Sequence, residues 1–587
     1  MEQKQTVHLT IDGAAVEAPA GTTIMEAAET LGVYVPRLCY HPELSLAGAC
    51  RVCIVEVKGV PYYLASCASA VWEGMEVQTN SPEIRQARRD IIELLLDNHP
   101  VDCQTCERDG NCELQNLAYS HGVRERLFAG ERKHFAREDS SRSVVRDADK
   151  CVLCGRCFRV CAEVQGVTNL SQQGRGFLTV VTPAHEARMD ESVCIQCGQC
   201  INVCPTAAFL EKNHTERVWQ ALADPGVHVV AQVAPSIRAA IGEGFGLPPG
   251  TAATGRTVTA LRRLGFDAVF DTDLGADLTI MEEAEEFVQR LEGGGVLPML
   301  TSCSSGWINF LEKFYPELIA HASTCKSPMS MTSVLAKTYY ARLKGLDPAQ
   351  VFMAAVMPCV AKKYEMGRAE HAEPDGSPYT DAVLTTRELI WMIECYGIDF
   401  ARLPEGEFDA PLGTATGAAD LFGATGGVME AALRTAAERL TNQPAETVDF
   451  HQVRAVEGLR EAQVNLGGRL LHVAVANGLH NAKTLLEKVK RREQEYHLIE
   501  VMACPGGCIG GGGQPYPPRG VRVLDPLLLR QRASALYAID KGKRLRKSSE
   551  NPAIKQLYAE FLDRPGSEKA HELLHTTYQP ATPRGIK

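Results

Sequence analysis

The sequence predicts a multidomain chain of α/β and α+β class, with three small cysteine-rich modules followed by a larger α/β domain and a helical tail. Three observations carry that expectation. A length of 587 residues suits about four domains. The chain holds 21 cysteines, most of them in tight, repeated spacings. From about residue 226 the texture changes to short β-rich runs alternating with helical stretches. The expected segments are 1–80, 81–145, 146–212, 213–530 and 531–587.

Composition narrows the class further. With 45% hydrophobic and 23% charged residues the chain can build several soluble cores. A net charge of −11 gives no electrostatic reason to expect nucleic acid. No segment reaches the ~18 apolar residues of a membrane span, and runs such as "VFMAAVM" suit buried strands. "MEQKQTVHLTIDG" passes directly into an alternating strand with no signal-peptide core, so a cytoplasmic protein is expected. In that setting metal ligation explains the cysteines better than disulfides do.

The first module opens with "TVHLTIDGAAV", a hairpin turning at Asp12-Gly13. "TTIMEAAETLG" follows as a helix with a Thr23-x-x-Glu26 capping box and Gly32 as its stop. A strand pair followed by a helix suggests a β-grasp fold. Cys39, Cys50, Cys53 and Cys67 come next, four thiolates that suit a [2Fe–2S] cluster. A structural zinc site uses the same four ligands. The spread spacing on a ferredoxin-like start favours the cluster.

"DNHPVDCQTCERDGNC" supplies His99, Cys103, Cys106 and Cys112. Three thiolates in one short loop can hold a cubane on three corners, with His99 as the fourth ligand. A lone histidine is ordinarily a packing residue, but this one sits just ahead of the first cysteine and precedes Pro100. An imidazole in place of a thiolate makes such a cluster less negative and raises its potential.

The next signal is doubled. "CVLCGRCFRVC" contains Cys151, Cys154, Cys157 and Cys161, and "CIQCGQCINVCP" contains Cys194, Cys197, Cys200 and Cys204. Each is the bacterial ferredoxin run whose fourth cysteine ligates the other cluster. Cys151, Cys154, Cys157 and Cys204 are therefore expected on one [4Fe–4S] cluster, and Cys194, Cys197, Cys200 and Cys161 on its neighbour. One [2Fe–2S] and three [4Fe–4S] clusters make a wire, and a wire implies chemistry at its end.

In the last two-thirds, near-continuous apolar strands separated by helical stretches argue for parallel sheets covered on both faces. Cys303, Cys359 and Cys504 each follow such a strand, and Cys508 comes four residues later. Open α/β sheets bind ligands at the carboxyl ends of their strands, so these thiols aim into one crevice. Cys325 and Cys395 fall in apparently helical stretches, and Cys395 reads as a buried small hydrophobe.

"TSCSSGW", "MPCVAKKYE" and "MACPGGCIGGGGQP" resemble the three signature loops of the [FeFe]-hydrogenases. "FGATGGVMEAALR" and "ENPAIKQLYAEFL" are also similar to that family, and the N-terminal cluster order matches its multi-cluster members. The resemblance covers essentially the whole chain. It implies an H-cluster, a [4Fe–4S] cubane joined through a cysteine sulfur to a di-iron unit with CO, CN⁻ and a dithiolate bridge. Cys359, Cys504 and Cys508 would ligate the cubane, with Cys508 bridging. Lys362 would donate to a cyanide, and Met357 and Met502 would pack against the di-iron unit. Glu283, Glu286, Arg290 and Ser323 match the family's proton path. On spacing alone, the carboxylates of "MEEAEEF" read instead as a solvated helix face. The glycines at 510–513 lack the Lys-Ser/Thr of a phosphate loop. Close backbone approach to a cofactor, or a tight turn, explains them better.

One position departs from the pattern. The family loop is usually Thr-Ser-Cys-Cys-Pro-x-Trp. Ungapped alignment on Thr301 and Trp307 puts Cys303 in the proton-relay place and Ser304 in the ligand place. Ser304 as an alkoxide ligand, a one-residue shift that makes Cys303 the ligand, a sulfur from Cys325, and loss of the working site all remain open here.

The expectation is the catalytic subunit of a multi-subunit hydrogenase, 2H⁺ + 2e⁻ ⇌ H₂. The resemblance implies flavin/NAD(P)-binding and [2Fe–2S] partner subunits, ferredoxin, and an electron-bifurcating complex, because this chain has no dinucleotide fingerprint. The rival is a hydrogenase-like relay subunit without a working H-cluster, serving a partner such as formate dehydrogenase. A complex I–type subunit is weakened by the lysine-bearing MPC loop and the final ACPGGC.

Overall fold

The computed structural model describes residues 5–128, 130–441, 443, 448–454, 458–518 and 520–581. The starts and ends of the expected terminal segments, residues 1–4 and 582–587, lie outside the described residues. The first of these stretches includes the opening of the run read for a signal peptide.

The N-terminal hairpin forms as expected. Strands Thr6–Ile11 and Ala14–Pro19 pair antiparallel about Asp12 (φ 51°) and Gly13 (φ 83°). The two positive φ values are what an Asp-Gly turn of this kind requires. Strand Met75–Gln78 joins the other edge of Thr6–Ile11 in parallel, and Ile54–Val57 and Leu64–Ala65 complete a five-stranded sheet. Helix Ile24–Thr30 covers it through Ile24, Met25, Ala27 and Ala28. Both halves of the capping box are made: Glu26 N–H donates to Thr23 Oγ1, and Thr23 N–H to Glu26 Oε2.

Helices Pro82–Asp97 and Glu113–Ser120 form the second module. The third is closed by strands Val144–Arg146 and Phe209–Glu211. The expected boundary at 145/146 therefore falls inside a strand. That at 530/531 falls inside helix Pro526–Gly542.

Two four-stranded sheets organise the remainder. In the first, Ala268–Asp271, His228–Val233, Val351–Met357 and Ala382–Thr385 lie side by side, all parallel. Alternation along the strands divides its side chains between two cores. Val229, Ala231, Val233, Val269, Ala354 and Val356 enter one, while Val230, Phe270 and Met353 enter the other. In the second sheet Met299–Leu300, Leu498–Met502 and Arg469–Asn477 are parallel. Leu459–Leu466 adds an antiparallel edge, departing from the all-parallel expectation. This sheet too is buried on both faces.

Helix Thr272–Gly293 joins the layers. Ala276, Ile280 and Phe287 pack into the core of the second sheet, and Leu274 and Leu278 into that of the first. Buried on two sides, it cannot present a solvated acidic face: Glu282 and Glu283 are each 1% exposed. No helix among the described residues is long and apolar enough to cross a membrane.

Thr23→Ala removes the side-chain cap of the first helix and should cost about 1 kcal/mol. Faster amide exchange confined to Ile24–Thr30, restored by Thr23→Ser, is the expected result.

Candidate active site

The strands that deliver the four C-terminal thiols end at Leu300, Met357 and Met502. They belong to both sheets, so the crevice is shared between two sets of carboxyl ends. Cys359 and Cys508 both face Cys504, and Cys508 faces Cys359 and Lys362. Burial pushes Cys504 up and carries Cys508 to about 12, with Cys359 adding to both. Thiols so placed stay protonated unless a metal takes the proton's place. The donor set therefore fits an iron–sulfur group, which these three cysteines would hold. Met357 and Met502 end their strands, both buried.

Lys362 is buried as well. Its Nζ donates to Glu365 Oε2 at 2.7 Å and to Cys303 O at 3.2 Å. Glu365 also accepts from Ser327 and Ser330, and from Ser305. Burial works to raise this carboxyl, but the Lys362 charge, His371 and these hydroxyls hold it down to about 2. Sequence inspection missed Glu365, although its place three residues after Lys362 was a signal. It also missed Glu500, whose carboxylate accepts from Gly426 N and Met429 N at 2.7 and 2.6 Å. Burial raises Glu500 to about 7 against the pull of those amides.

Cys303 and Ser304 part company at the start of helix Ser305–Phe314. Cys303 is buried against Glu283, Cys508, Glu500 and Lys362. The Ser304 hydroxyl accepts from the amide of Ala503, next to Cys504, at 3.3 Å. Cys325 is elsewhere, a correction on two counts. It lies in a loop rather than a helix, and its Sγ approaches Glu286 at 3.9 Å instead of the other thiols. Cys395 is exposed at the end of helix Thr386–Cys395, not buried, because the apolar face there is carried by Met392 and Ile393.

From Cys303 a line of polar groups leads outward. Burial, then the charge of Glu286, raises Glu283 to about 8. Ser323 and the Ser302 amide face it, yet neither of its oxygens finds a full hydrogen bond. Ser323 Oγ donates to Glu286 Oε2 at 3.0 Å. Arg290 holds Glu286 Oε1 at 2.5 Å and donates to the carbonyls of His321 and Ala322.

On the opposite side stand the relay cysteines. Cys204 lies near Cys151, Cys154 and Cys157, and Cys161 near Cys194, Cys197 and Cys200, with Cys200 also near Cys204 and Cys157. The two loops match in detail: Leu153 and Gln196, then Gly155 and Gly198, take positive φ. Cys161 sits in a π-turn, Val160–Val164, continuing helix Arg156–Arg159. Nearer the N-terminus, Cys53 Sγ and Cys67 Sγ lie 3.3 Å apart, and the Cys39 amide donates to Cys50 Sγ at 3.4 Å. Cys103 and Cys112 both lie near Cys106; Lys150 is a neighbour of both Cys106 and His99, and Asp102 of both Cys103 and His99. His99 Nδ1 is buried without a hydrogen-bond partner, an orphan that a metal would satisfy.

The relay touches the site directly. Cys197 faces Cys504, and the Gln199 side chain reaches both Cys504 and Gly510 O. The glycine run exists for this approach. A Cβ on Gly512 would lie 2.5 Å from Cys197 O, and one on Gly511 2.3 Å from Pro358 O. Neighbouring backbone excludes side chains here.

Family models match almost the whole chain. They are "Iron only hydrogenase large subunit, C-terminal domain" over 227–512 and "Iron hydrogenase small subunit" over 527–581. Ahead of them are a 2Fe-2S cluster binding domain over 4–82, the NADH-ubiquinone oxidoreductase-G iron-sulfur binding region over 88–126, and a 4Fe-4S dicluster domain over 150–208. The NADP-reducing hydrogenase subunit HndD of Solidesulfovibrio fructosivorans is 50% identical, covering 97% of this chain and 98% of its own. Iron hydrogenase 1 of Clostridium pasteurianum is 42% identical, covering 97% and 99%. A solved single-residue variant of the [FeFe]-hydrogenase HydA1 from Chlamydomonas reinhardtii covers 63% of this chain and 100% of its own at 42% identity, with a TM-score of 0.57.

Glu283 should be protonated at neutral pH. Its infrared protonated-carboxyl band should titrate away as pH rises through about 8 and be missing in Glu283→Gln. Since the folded pKa exceeds that of the free side chain, this group favours folding fully at acid pH. The contribution is lost as pH climbs through that value. A band absent at pH 7 contradicts the assignment.

Proposed function

The chain belongs to the [FeFe]-hydrogenase family, and from that premise we propose that it interconverts protons, electrons and H₂ as the catalytic subunit of a larger complex. It is an enzyme of this type, with iron–sulfur domains ahead of its hydrogenase domain. The observation that carries the reading is the convergence of Cys359, Cys504 and Cys508 beside Lys362 and Cys303, with a relay cysteine at the same point.

Cys359, Cys504 and Cys508 would hold an H-cluster. When bound, the H-cluster supplies the iron centre at which protons and electrons combine. The residues of this chain do the rest. The Cys303 thiol delivers and accepts protons at the site. Glu283 holds its proton loosely enough at neutral pH to pass it on, which is the pKa that suits a relay. Ser323 bridges to Glu286, and Arg290 anchors Glu286 at the outer end. The Lys362 ammonium, braced by Glu365, offers a charge-assisted donor to an anionic ligand. Met357 and Met502 line the pocket without competing polar groups.

Electrons would run through one [2Fe–2S] cluster on Cys39, Cys50, Cys53 and Cys67, a [4Fe–4S] cluster on His99, Cys103, Cys106 and Cys112, and the two crossed [4Fe–4S] clusters. At the far end we assign flavin/NAD(P)-binding and [2Fe–2S] partner subunits, with ferredoxin, in a bifurcating complex in the cytoplasm. A relative described as an NADP-reducing hydrogenase subunit supports the NAD(P)-linked, multi-subunit part of this reading. Ser304 is best read in its ungapped place: its hydroxyl accepts from the amide of Ala503, the residue before Cys504, and Cys303 keeps the proton-relay position. The same serine is the one feature that favours the rival, a relay subunit without a working H-cluster.

Maturated protein decides between them by its infrared CO and CN⁻ bands and by viologen-linked H₂ evolution; a clean spectrum with no turnover selects the rival. Cys508→Ala should abolish turnover while the N-terminal cluster signals persist, and surviving activity would falsify the site. In Ser304→Cys, a shifted cubane signal is expected if serine ligates iron. An unchanged one removes Ser304 from the ligand set.

A further inference from the structure

Cys325 belongs to a different constellation. Its Sγ, a carboxylate oxygen of Glu286 and a ring nitrogen of His575 all lie within 4.8 Å of one another. They come from distant parts of the chain: the helix Thr272–Gly293, the loop after Pro316–His321, and the cap of helix Glu568–Leu574. Backbone pairing between Cys325 and His575 fixes two of them together. The third is held from the far side, where Arg290 occupies Glu286 Oε1; its Oε2 accepts from Ser323 Oγ and from the amide and hydroxyl of Thr324 and lies 3.9 Å from the thiol.

The imidazole is set up in a particular way. Its Nε2 lies 3.1 Å from Glu282 Oε2, and Glu282 is itself fixed by the Tyr558 hydroxyl at 2.5 Å and the Gly566 amide at 2.8 Å. Its Nδ1 is turned toward the cluster, 2.7 Å from Thr324 Oγ1, which in turn lies 3.2 Å from Glu286 Oε2. A buried carboxylate holding one ring nitrogen so that the other faces outward is how metal-binding histidines are oriented. One thiolate, one imidazole and one carboxylate form a borderline-soft, tetrahedral-type donor set. Bonds of roughly 2.0–2.3 Å would bring the ligand atoms to about 3.5 Å from one another. The observed spread is about an ångström wider, within reach of side-chain rotation.

We propose that Glu286, Cys325 and His575 form a binding site for a zinc-class divalent cation, and that filling it closes the proton path. Metal binding expels the thiol proton of Cys325 and releases it to solvent. It also takes the Glu286 oxygen that accepts from Ser323, so a proton can no longer cross that point. The closure rests on the proton path proposed above; the site itself does not.

The test uses full-length protein loaded with its clusters and one equivalent of Zn²⁺. Zinc-edge X-ray absorption should show one sulfur at about 2.3 Å with nitrogen and oxygen neighbours. The sulfur should vanish in Cys325→Ala and in Cys325→Ser, the second keeping the size of the side chain. Zn²⁺ should slow H₂ evolution, and its potency should fall at least tenfold in each variant and in His575→Gln, every protein referred to its own metal-free rate. A sulfur neighbour that survives loss of Cys325, or no bound zinc at all, overturns the site. Bound zinc with undiminished turnover overturns the closure. The absorption result holds even for protein without hydrogenase activity, so failure of the functional reading is told apart from failure of this one.

Discussion

The contact on which the rest depends is the backbone touch between Cys197–Gly198 and the run Gly510–Gly513. Electron transfer between buried centres weakens steeply with separation, so two thiol clusters serve one current only if their loops meet. Side chains would hold them apart. The carbonyls of Cys197 and Pro358 stand where Cβ atoms would project from Gly512 and Gly511. Val360 packs on Gly198 from the third loop. Relay, MPC loop and terminal loop are thus locked at one point, and the domain arrangement follows from that lock.

Charge is handled by burial on one side and by pairing on the other. Glu283, proposed to move protons, is desolvated and left short of donors, so its proton sits near neutral pH. The carboxyl that must stay ionised, Glu365, lies as deep but is surrounded by Lys362 and serine hydroxyls. Depth alone does not set the outcome; the number of donors does. The helix that supplies Glu283 belongs to two cores at once, which limits how far it can shift.

Much of this was legible in local spacing. The hairpin and the capping box are short-range patterns found where spacing put them, and the two ferredoxin runs fold into loops with matching backbone. The apolar strands announced both sheets, and the cysteines following them announced the crevice. What the pattern did not carry was non-local. "MEEAEEF" looks like a solvated face because its burial comes from layers on both sides of the helix, one of them built more than a hundred residues later. Cys325 and Cys395 were misplaced because a single thiol carries no periodicity. Glu282 and His575 are 293 positions apart, and no window of sequence could have paired them.

The tail from Pro526 onward matches a family model named for a small subunit, yet it is continuous with the rest of the polypeptide. Its end threads back over the outer edge of the proton line: Thr576 N bonds Thr324 O, Leu574 O accepts from Lys326 N, and Ala581 N reaches Glu312 O. Tethering turns an encounter between separate molecules into ring closure within one, at an effective concentration set by the connecting chain. Dilution therefore cannot strip this cover from the catalytic domain, and the two parts are necessarily made in equal number.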